Sequence, residues 1–212
     1  MPAGKLIIVR HGESEWNATG QWTGLTDVHL TAKGRHEAHL MGAKLRDIHI
    51  DHAFTSEQIR TVETLQELLK AQGQTSTPYD RRWGMNERDY GEYTGLNKWE
   101  VKDQVGEDAF NAIRRNWDYP VPGGETLKNV YHRTVPFFQK EVLPYLAKGK
   151  NVLLVAHGNS IRSLMKYIEE ISDTDIAKVD FIFGTILLYD LNKDGHMVHK
   201  EIRKIDTVLP PA

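Results

Sequence analysis

Short apolar runs alternate along this chain with longer stretches of helical periodicity. Residues 6–9, Leu-Ile-Ile-Val, are apolar at every position and read as a strand buried on both faces. Residues 152–156, Val-Leu-Leu-Val-Ala, repeat that grammar. Between the two, Thr31 caps a helix running to about residue 47, with Ala38, Met41, Leu45 and Ile48 at helical spacing. Residues 52–55 form a short strand. A helix over about 58–72 turns Val62, Leu65 and Leu69 inward, and Gly73 ends it. Residues 78–82 suit another strand.

Further on, Asn97 with Glu100 reads as a capping box, and a second helix spans about 107–116. A long helix opens at Thr126 and runs to about 146, with Pro136 and Pro144 placed to bend or break it. Another covers 160–171, and Asp173 or Thr174 caps a short one. Residues 186–190 and 197–203 flank Asn192-Lys193-Asp194-Gly195, a hairpin signal that makes the last strand antiparallel at a sheet edge. Such βαβ alternation predicts an α/β fold: a mostly parallel sheet with helices on both faces. No repeat, linker or composition shift divides the chain, so residues 1–212 read as one domain. The tail 206–212, with Pro210 and Pro211, has no core pattern and is expected to be mobile.

Composition adds mainly exclusions. At 212 residues, 40% hydrophobic and 26% charged, the chain is an ordinary globular one with a proper core. A net charge of -2 provides no global field for nucleic acid. With no cysteine there are no disulfides, thiolate metal sites or cysteine nucleophiles, which fits a reducing cytosol. The N-terminal apolar run is too short for a signal peptide, and no run approaches a membrane span. The expectation is a soluble, cytoplasmic protein.

The chemistry gathers at strand ends. In an open α/β sheet, ligands collect beyond the carboxyl ends of the strands. The first run ends in Arg10-His11-Gly12, and the second in His157-Gly158-Asn159-Ser160. A lone histidine after a strand is usually structural. Two strand-His-Gly junctions in one domain point instead to imidazoles sharing a substrate. Arg10 supplies a planar fork for phosphate, and Arg60, just past the strand at 52–55, points to the same sheet edge. Histidine can carry a phosphoryl group covalently when one ring nitrogen attacks and the other is held, here by a backbone carbonyl near Gly12. A second imidazole, His157, can donate to the moving phosphoryl.

Transfer to a hydroxyl needs a proton shuttle. Glu87 is the candidate, because it sits in the long aromatic and glycine-punctuated loop 83–98. Glu13 is nearer His11 in sequence, but the turn at Gly12 faces it away or lets it cap a helix. No P-loop is present. The pairs His36/His39, His49/His52 and His196/His199 are weak metal candidates, and no metal site is expected.

These residues resemble the histidine phosphatase superfamily, whose signature is Arg10-His11-Gly12-Glu13. Asn86-Glu87-Arg88 with Tyr90-Gly91, Gly95-Leu96-Asn97-Lys98, Arg114-Arg115 and residues 156–160 narrow the resemblance to the cofactor-dependent phosphoglycerate mutases. It runs from about residue 5 to about 203. The resemblance implies a three-layer α/β/α sandwich that interconverts 3-phosphoglycerate and 2-phosphoglycerate. It implies a phosphohistidine at His11, primed by 2,3-bisphosphoglycerate, with Glu87 as proton donor and acceptor and Arg10, Arg60 and His157 around the phosphoryl. Ser14, Asn17, Thr23, Gly24, Gly158 and Asn159 would line the site. Tyr90, Lys98, Arg114 and Arg115 would hold the second phosphate or the carboxylate. The implied partners are small phosphorylated acids, with neither nucleic acid nor membrane, and a homodimer is open.

Three departures stand out. Phe183-Gly184-Thr185-Ile186 replaces a Thr-Gly-Val-Pro-like turn, Leu25 replaces an aromatic residue, and the segment after Arg115 is short. Two rivals remain: a hydrolase of the same fold acting on bisphosphoglycerate or another phosphomonoester, and a binding protein that has lost turnover.

Overall fold

A computed structural model describes residues 3–205. The terminal segment expected to be mobile, 206–212, lies outside the described residues. One six-stranded sheet organises the chain: β1 (Leu6–Arg10), β2 (His52–Thr55), β3 (Tyr79–Arg81), β4 (Val152–Ala156), β5 (Thr185–Leu191) and β6 (Met197–Lys204), in the order β3-β2-β4-β1-β5-β6. The first four are mutually parallel, and β5 runs antiparallel to β1. The expected hairpin is present, with β6 antiparallel to β5 at the edge. The strand that runs against the parallel set is therefore β5, one place in from that edge.

Helices cover both faces, as the alternation of apolar strands and amphipathic helices requires. Successive strand residues point to opposite sides. Leu6, Ile8, Leu154 and Leu187 face one cluster with Phe138, Leu164 and Met165. Those partners come from the turn after α6 (Leu127–Phe137) and from α8 (Gly158–Ile168). Ile7, Val9, Leu153 and Val155 face a second cluster with Met41 of α2 (Ala32–Ala43) and Leu65 and Leu68 of α3 (Ile59–Gln72). Gly42 lets α2 and α3 touch, because a methyl there would sit 2.2 Å from the Leu68 carbonyl.

Some boundaries differ from the expectation. Helix α2 stops at Ala43, and residues 44–47 continue only as turns. The proline-bearing helix is broken where expected: residues 138–142 form a π-helical turn in which Leu143 N–H reaches back to Phe138 O, before α7 (Leu143–Ala147). Helix α8 opens at Gly158, two residues earlier than its pattern suggested, directly behind His157.

The long loop has its own small core. Trp22, Val101, Phe110, Ile113 and Val121 pack together, with Tyr90 and Tyr93 against them. Two short helices, α4 (Lys98–Val105) and α5 (Glu107–Arg115), belong to this cluster. Asn97 caps α4, its side-chain oxygen accepting from Trp99 and Glu100 N–H at 2.9 and 3.4 Å. This third cluster stands beside the carboxyl ends of β1 and β4. Among the described residues, no helix is long and apolar enough to cross a membrane.

Candidate active site

The sheet register brings the two histidines together. Arg10 pairs with Ala156 across the parallel β1–β4 ladder, so the next residue on each strand is a histidine. His11 N–H donates to Ala156 O at 3.0 Å. The rings meet edge to face with centroids 4.9 Å apart. Both residues are buried.

His11 Nδ1 lies 2.7 Å from the Gly12 carbonyl oxygen. A carbonyl only accepts, so Nδ1 carries the hydrogen and Nε2 keeps its lone pair. Burial, then the charges of Arg60 and Arg10, hold the His11 pKa well below its ordinary value. The ring is thus neutral and nucleophilic near neutral pH. His157 is depressed in the same way by burial, Arg60 and His11, and its Nε2 lies 2.8 Å from Ser56 Oγ.

Arg60 settles the ambiguity of a helix arginine: it is 1% exposed and reaches back under the site. Its terminal nitrogens donate to Thr26 O at 2.9 Å and Gly24 O at 3.0 Å. Burial lowers its pKa to about 10, which leaves it charged at neutral pH. Arg10 Nε, Arg60 Nε and the Thr23 hydroxyl are buried without a hydrogen-bond partner in the protein. Unpaired buried donors are costly, and oxygens of an anion would satisfy them.

Glu87 faces this cluster from the long loop. Its Oε1 accepts from Arg88 N–H at 2.7 Å and from the Asn159 side chain at 3.1 Å. Gln58 ties its backbone down: Glu87 N–H donates to Gln58 Oε1 at 2.9 Å, and Gln58 Nε2 donates to Gly24 O. Glu87 also sits at the amino end of α8, where Asn159 N–H approaches Oε1 at 3.3 Å and the helix dipole favours a carboxylate. Gly158 packs between Arg10 and Glu87. A methyl there would lie 3.8 Å from Arg10 Cζ and 3.9 Å from Glu87 Oε2. Glu13 also borders the cavity, but its carboxylate is taken up by Thr31 Oγ1 and Lys33 Nζ, each at 2.9 Å.

A cavity of about 610 Å³ opens in front of these groups. Of the residues singled out from sequence, Arg10, Asn17, Glu87, Tyr90, Lys98, Arg114, Arg115, Gly158 and Asn159 line it. His11, Arg60, His157, Thr23 and Gly24 are bonded or packed to those walls rather than part of them. Ser14 is fully buried, and its hydroxyl caps the short helix α1 (Glu15–Ala18) while donating to Asn17 Oδ1 at 2.8 Å. Lys98 is pushed down to about 8 by burial, then by Arg10 and Arg114.

Several contributors were not evident in the sequence. Phe183, noted only as a departure, stacks on Arg10 with Cζ 3.7 Å from the ring centroid, and lies 6.3 Å from the His11 ring. Asp180 grips Arg115 with two bonds of 2.9 and 3.2 Å. Arg162, 3% exposed, donates to Arg115 O and Ile176 O at 2.7 Å and to Asn159 Oδ1 at 3.2 Å. A helix arginine in the turn after His157 was its only signal.

This arrangement, a neutral imidazole between the half-buried Arg10 and the buried Arg60 at the carboxyl ends of the two central strands, defines a phosphoryl-handling site. The family model of the histidine phosphatase superfamily (branch 1) matches residues 6–200, and the chain belongs to that family. A 2,3-bisphosphoglycerate-dependent phosphoglycerate mutase of Cytophaga hutchinsonii is 46% identical over 187 residues, 88% of this chain and 87% of that protein. One of the same description from Nitrobacter hamburgensis is 42% identical over 197 residues, 92% and 95% of the two chains. Among solved structures, Bacillus stearothermophilus YhfR superposes with a TM-score of 0.81 at 25% identity, covering 92% of this chain and 96% of that one.

Proposed function

We propose that this chain is a phosphoglycerate mutase of the 2,3-bisphosphoglycerate-dependent kind, with His11 as the phosphoryl carrier. The observation that carries the reading is the pair of buried strand-tip imidazoles, 4.9 Å apart, beside the Arg10 and Arg60 guanidiniums. Close identity to mutases over most of both chains supports the substrate assignment.

His11 Nε2 attacks phosphorus while Nδ1–H stays on the Gly12 carbonyl. Arg10, Arg60 and His157 surround the phosphoryl oxygens and stabilise their charge. Glu87 gives a proton to the departing substrate oxygen and takes one from the hydroxyl that receives the phosphoryl group. The phosphoryl on His11 is thereby passed to the free hydroxyl of 3-phosphoglycerate, and the other phosphate is taken back, which leaves 2-phosphoglycerate.

The unpaired donors on Arg10, Arg60 and Thr23, with Lys98, Arg114 and Arg115 across the cavity, fit a molecule with two phosphates and a carboxylate. When bound, 2,3-bisphosphoglycerate supplies the phosphoryl group that loads His11. Lys98, Arg114 and Arg115 would hold its far end, with Tyr90 beside them. A doubly phosphorylated species has to be retained and turned before it leaves, and those cations provide the grip. We read the protein as acting in the cytoplasm on small phosphorylated acids.

The test is direct. Feed 3-phosphoglycerate with and without catalytic 2,3-bisphosphoglycerate, and follow 2-phosphoglycerate and inorganic phosphate together by phosphorus NMR. Priming-dependent isomerisation with little free phosphate is expected. Free phosphate as the main product would make the chain a phosphatase of the same fold.

A further inference from the structure

Behind His11 lies a buried carboxylate to which the transfer chemistry assigns no part. Glu37 of α2 is 1% exposed. Its Oε2 accepts from Glu13 N–H at 2.9 Å. That N–H and the Gly12 carbonyl belong to the same peptide group, and the Gly12 carbonyl accepts His11 Nδ1–H at 2.7 Å. A continuous chain therefore runs from the Glu37 carboxylate, through one peptide, to the nitrogen opposite the attacking one.

The peptide cannot turn away. A methyl on Gly12 would sit 2.1 Å from Gly34 O, and one on Gly34 would sit 2.1 Å from Glu13 O, so the loop and α2 are in backbone contact. The neighbouring peptide is pinned as well, with Gly12 N–H donating to Thr64 Oγ1 at 3.1 Å and Thr64 Oγ1 donating to Arg60 O at 2.7 Å. Glu37 lies one turn along α2 from Gly34, which aims it at Glu13 N–H. Its other oxygen, Oε1, has no hydrogen-bond partner, and Lys33 Nζ stands off at 3.9 Å. Burial raises the Glu37 carboxyl above its ordinary range, while the Glu13 N–H, Lys33 and Arg10 act against that rise.

We infer that Glu37 is a positioning residue that acts on His11 through the Gly12–Glu13 peptide and stabilises the positive charge the ring acquires when it takes the phosphoryl group. The inference rests on His11 being the carrier. As the Nε2–P bond forms and the substrate P–O bond breaks, the electron pair leaves on the substrate oxygen, which Glu87 protonates. The ring keeps Nδ1–H and becomes a phosphoimidazolium cation. A carboxylate bonded to the peptide N–H pulls that hydrogen, enriches the carbonyl oxygen and makes it a stronger acceptor for Nδ1–H. The logic is that of a carboxylate behind a catalytic histidine, with a peptide group interposed.

Such a charge has opposite effects on the two directions of transfer. Glu37→Gln keeps an oxygen acceptor and removes the charge. Loading of His11 from radiolabelled 2,3-bisphosphoglycerate, followed by rapid quench, should slow about tenfold. Spontaneous hydrolysis of the isolated phosphoenzyme should accelerate, because Nε2 becomes a better leaving group. In the unloaded protein the Nδ1–H proton resonance of His11 should move upfield. Glu37→Asp, a milder change that keeps the charge, should shift all three readouts less and in the same directions. Equal slowing of loading and hydrolysis, or an unmoved Nδ1–H resonance, would overturn the inference and leave Glu37 a purely structural acceptor. Absence of acid-labile phosphate on His11 in the unmodified protein would instead overturn the carrier reading, and the proton resonance would still decide the hydrogen-bond chain.

Discussion

Arg10 Cζ stands over the Phe183 ring, 3.7 Å from its centroid, and the same ring stands 6.3 Å from the His11 ring. A cation over an aromatic face is held in plane and shielded from water. Phe183 therefore does two jobs. It orients the Arg10 guanidinium and covers the proposed carrier, His11. Phe183→Ala should raise hydrolysis of the phosphoenzyme several-fold, read as inorganic phosphate released from labelled protein. Unchanged release would mean the ring is no barrier to water.

Glu87 is buried, and Arg88 N–H and Asn159 fix its Oε1. Glu87→Gln keeps the shape and loses the proton-accepting charge. The expected loss in kcat is about 100-fold or more, with KM moved far less. Parallel losses in both would make it a binding group.

Lys98 sets a pH limb. Its pKa stands at about 8 because burial and the neighbouring Arg10 and Arg114 disfavour its charge. It is charged below that value and becomes neutral as pH rises through it. Attraction for an anionic substrate should fall in the same range, so kcat/KM should decline above about pH 8. Lys98→Met should lower kcat/KM throughout and remove that limb. A limb that persists in the variant belongs to another group.

Arg115 is partly occupied by Asp180, which it holds with two bonds. Asp180→Asn weakens that grip and frees the fork for a phosphate or carboxylate. It should lower KM for 3-phosphoglycerate several-fold, whereas Arg115→Ala should raise KM and increase leakage to free phosphate. Steady-state kinetics with product partitioning checks both. An unchanged KM in both variants would remove Arg115 from the binding surface.

Arg133 fastens the loop that carries Glu87. Its guanidinium is paired with Glu125 and donates to the Gly84, Asn86 and Glu87 carbonyls at 3.1, 3.0 and 2.9 Å. Arg133→Ala leaves Glu125 only the Asp89 N–H and frees the loop. The expected cost is about 3 kcal/mol in urea unfolding, accompanied by a fall in kcat. A variant of unaltered stability would show that the loop holds its shape without this clamp.

Sequence alone determined the strands and most helices, and it pointed to the candidate reactive groups. Buried parallel strands need apolar residues on both faces, so β1 and β4 were visible as continuous runs, and the histidines at their ends were visible with them. Glu87 was legible because an aromatic and glycine-rich loop of that length inside a compact domain implies function. Helix ends moved by a few residues, since caps and tertiary contacts such as Gly42 against Leu68 O decide them.

Only the tertiary structure decided which groups share space. The β1–β4 register, a pairing of strands about 146 residues apart (Leu6 with Val152), turned two separate motifs into one site. Arg60 could have been a solvated helix residue, and the packing of α3 under the Gly24 and Thr26 carbonyls buried it. Phe183, Asp180, Arg162 and Glu37 have ordinary local contexts. Their roles come from contacts across the sheet edge, which no local periodicity encodes, because a side chain's electrostatic partners are set by through-space distance and not by position along the chain.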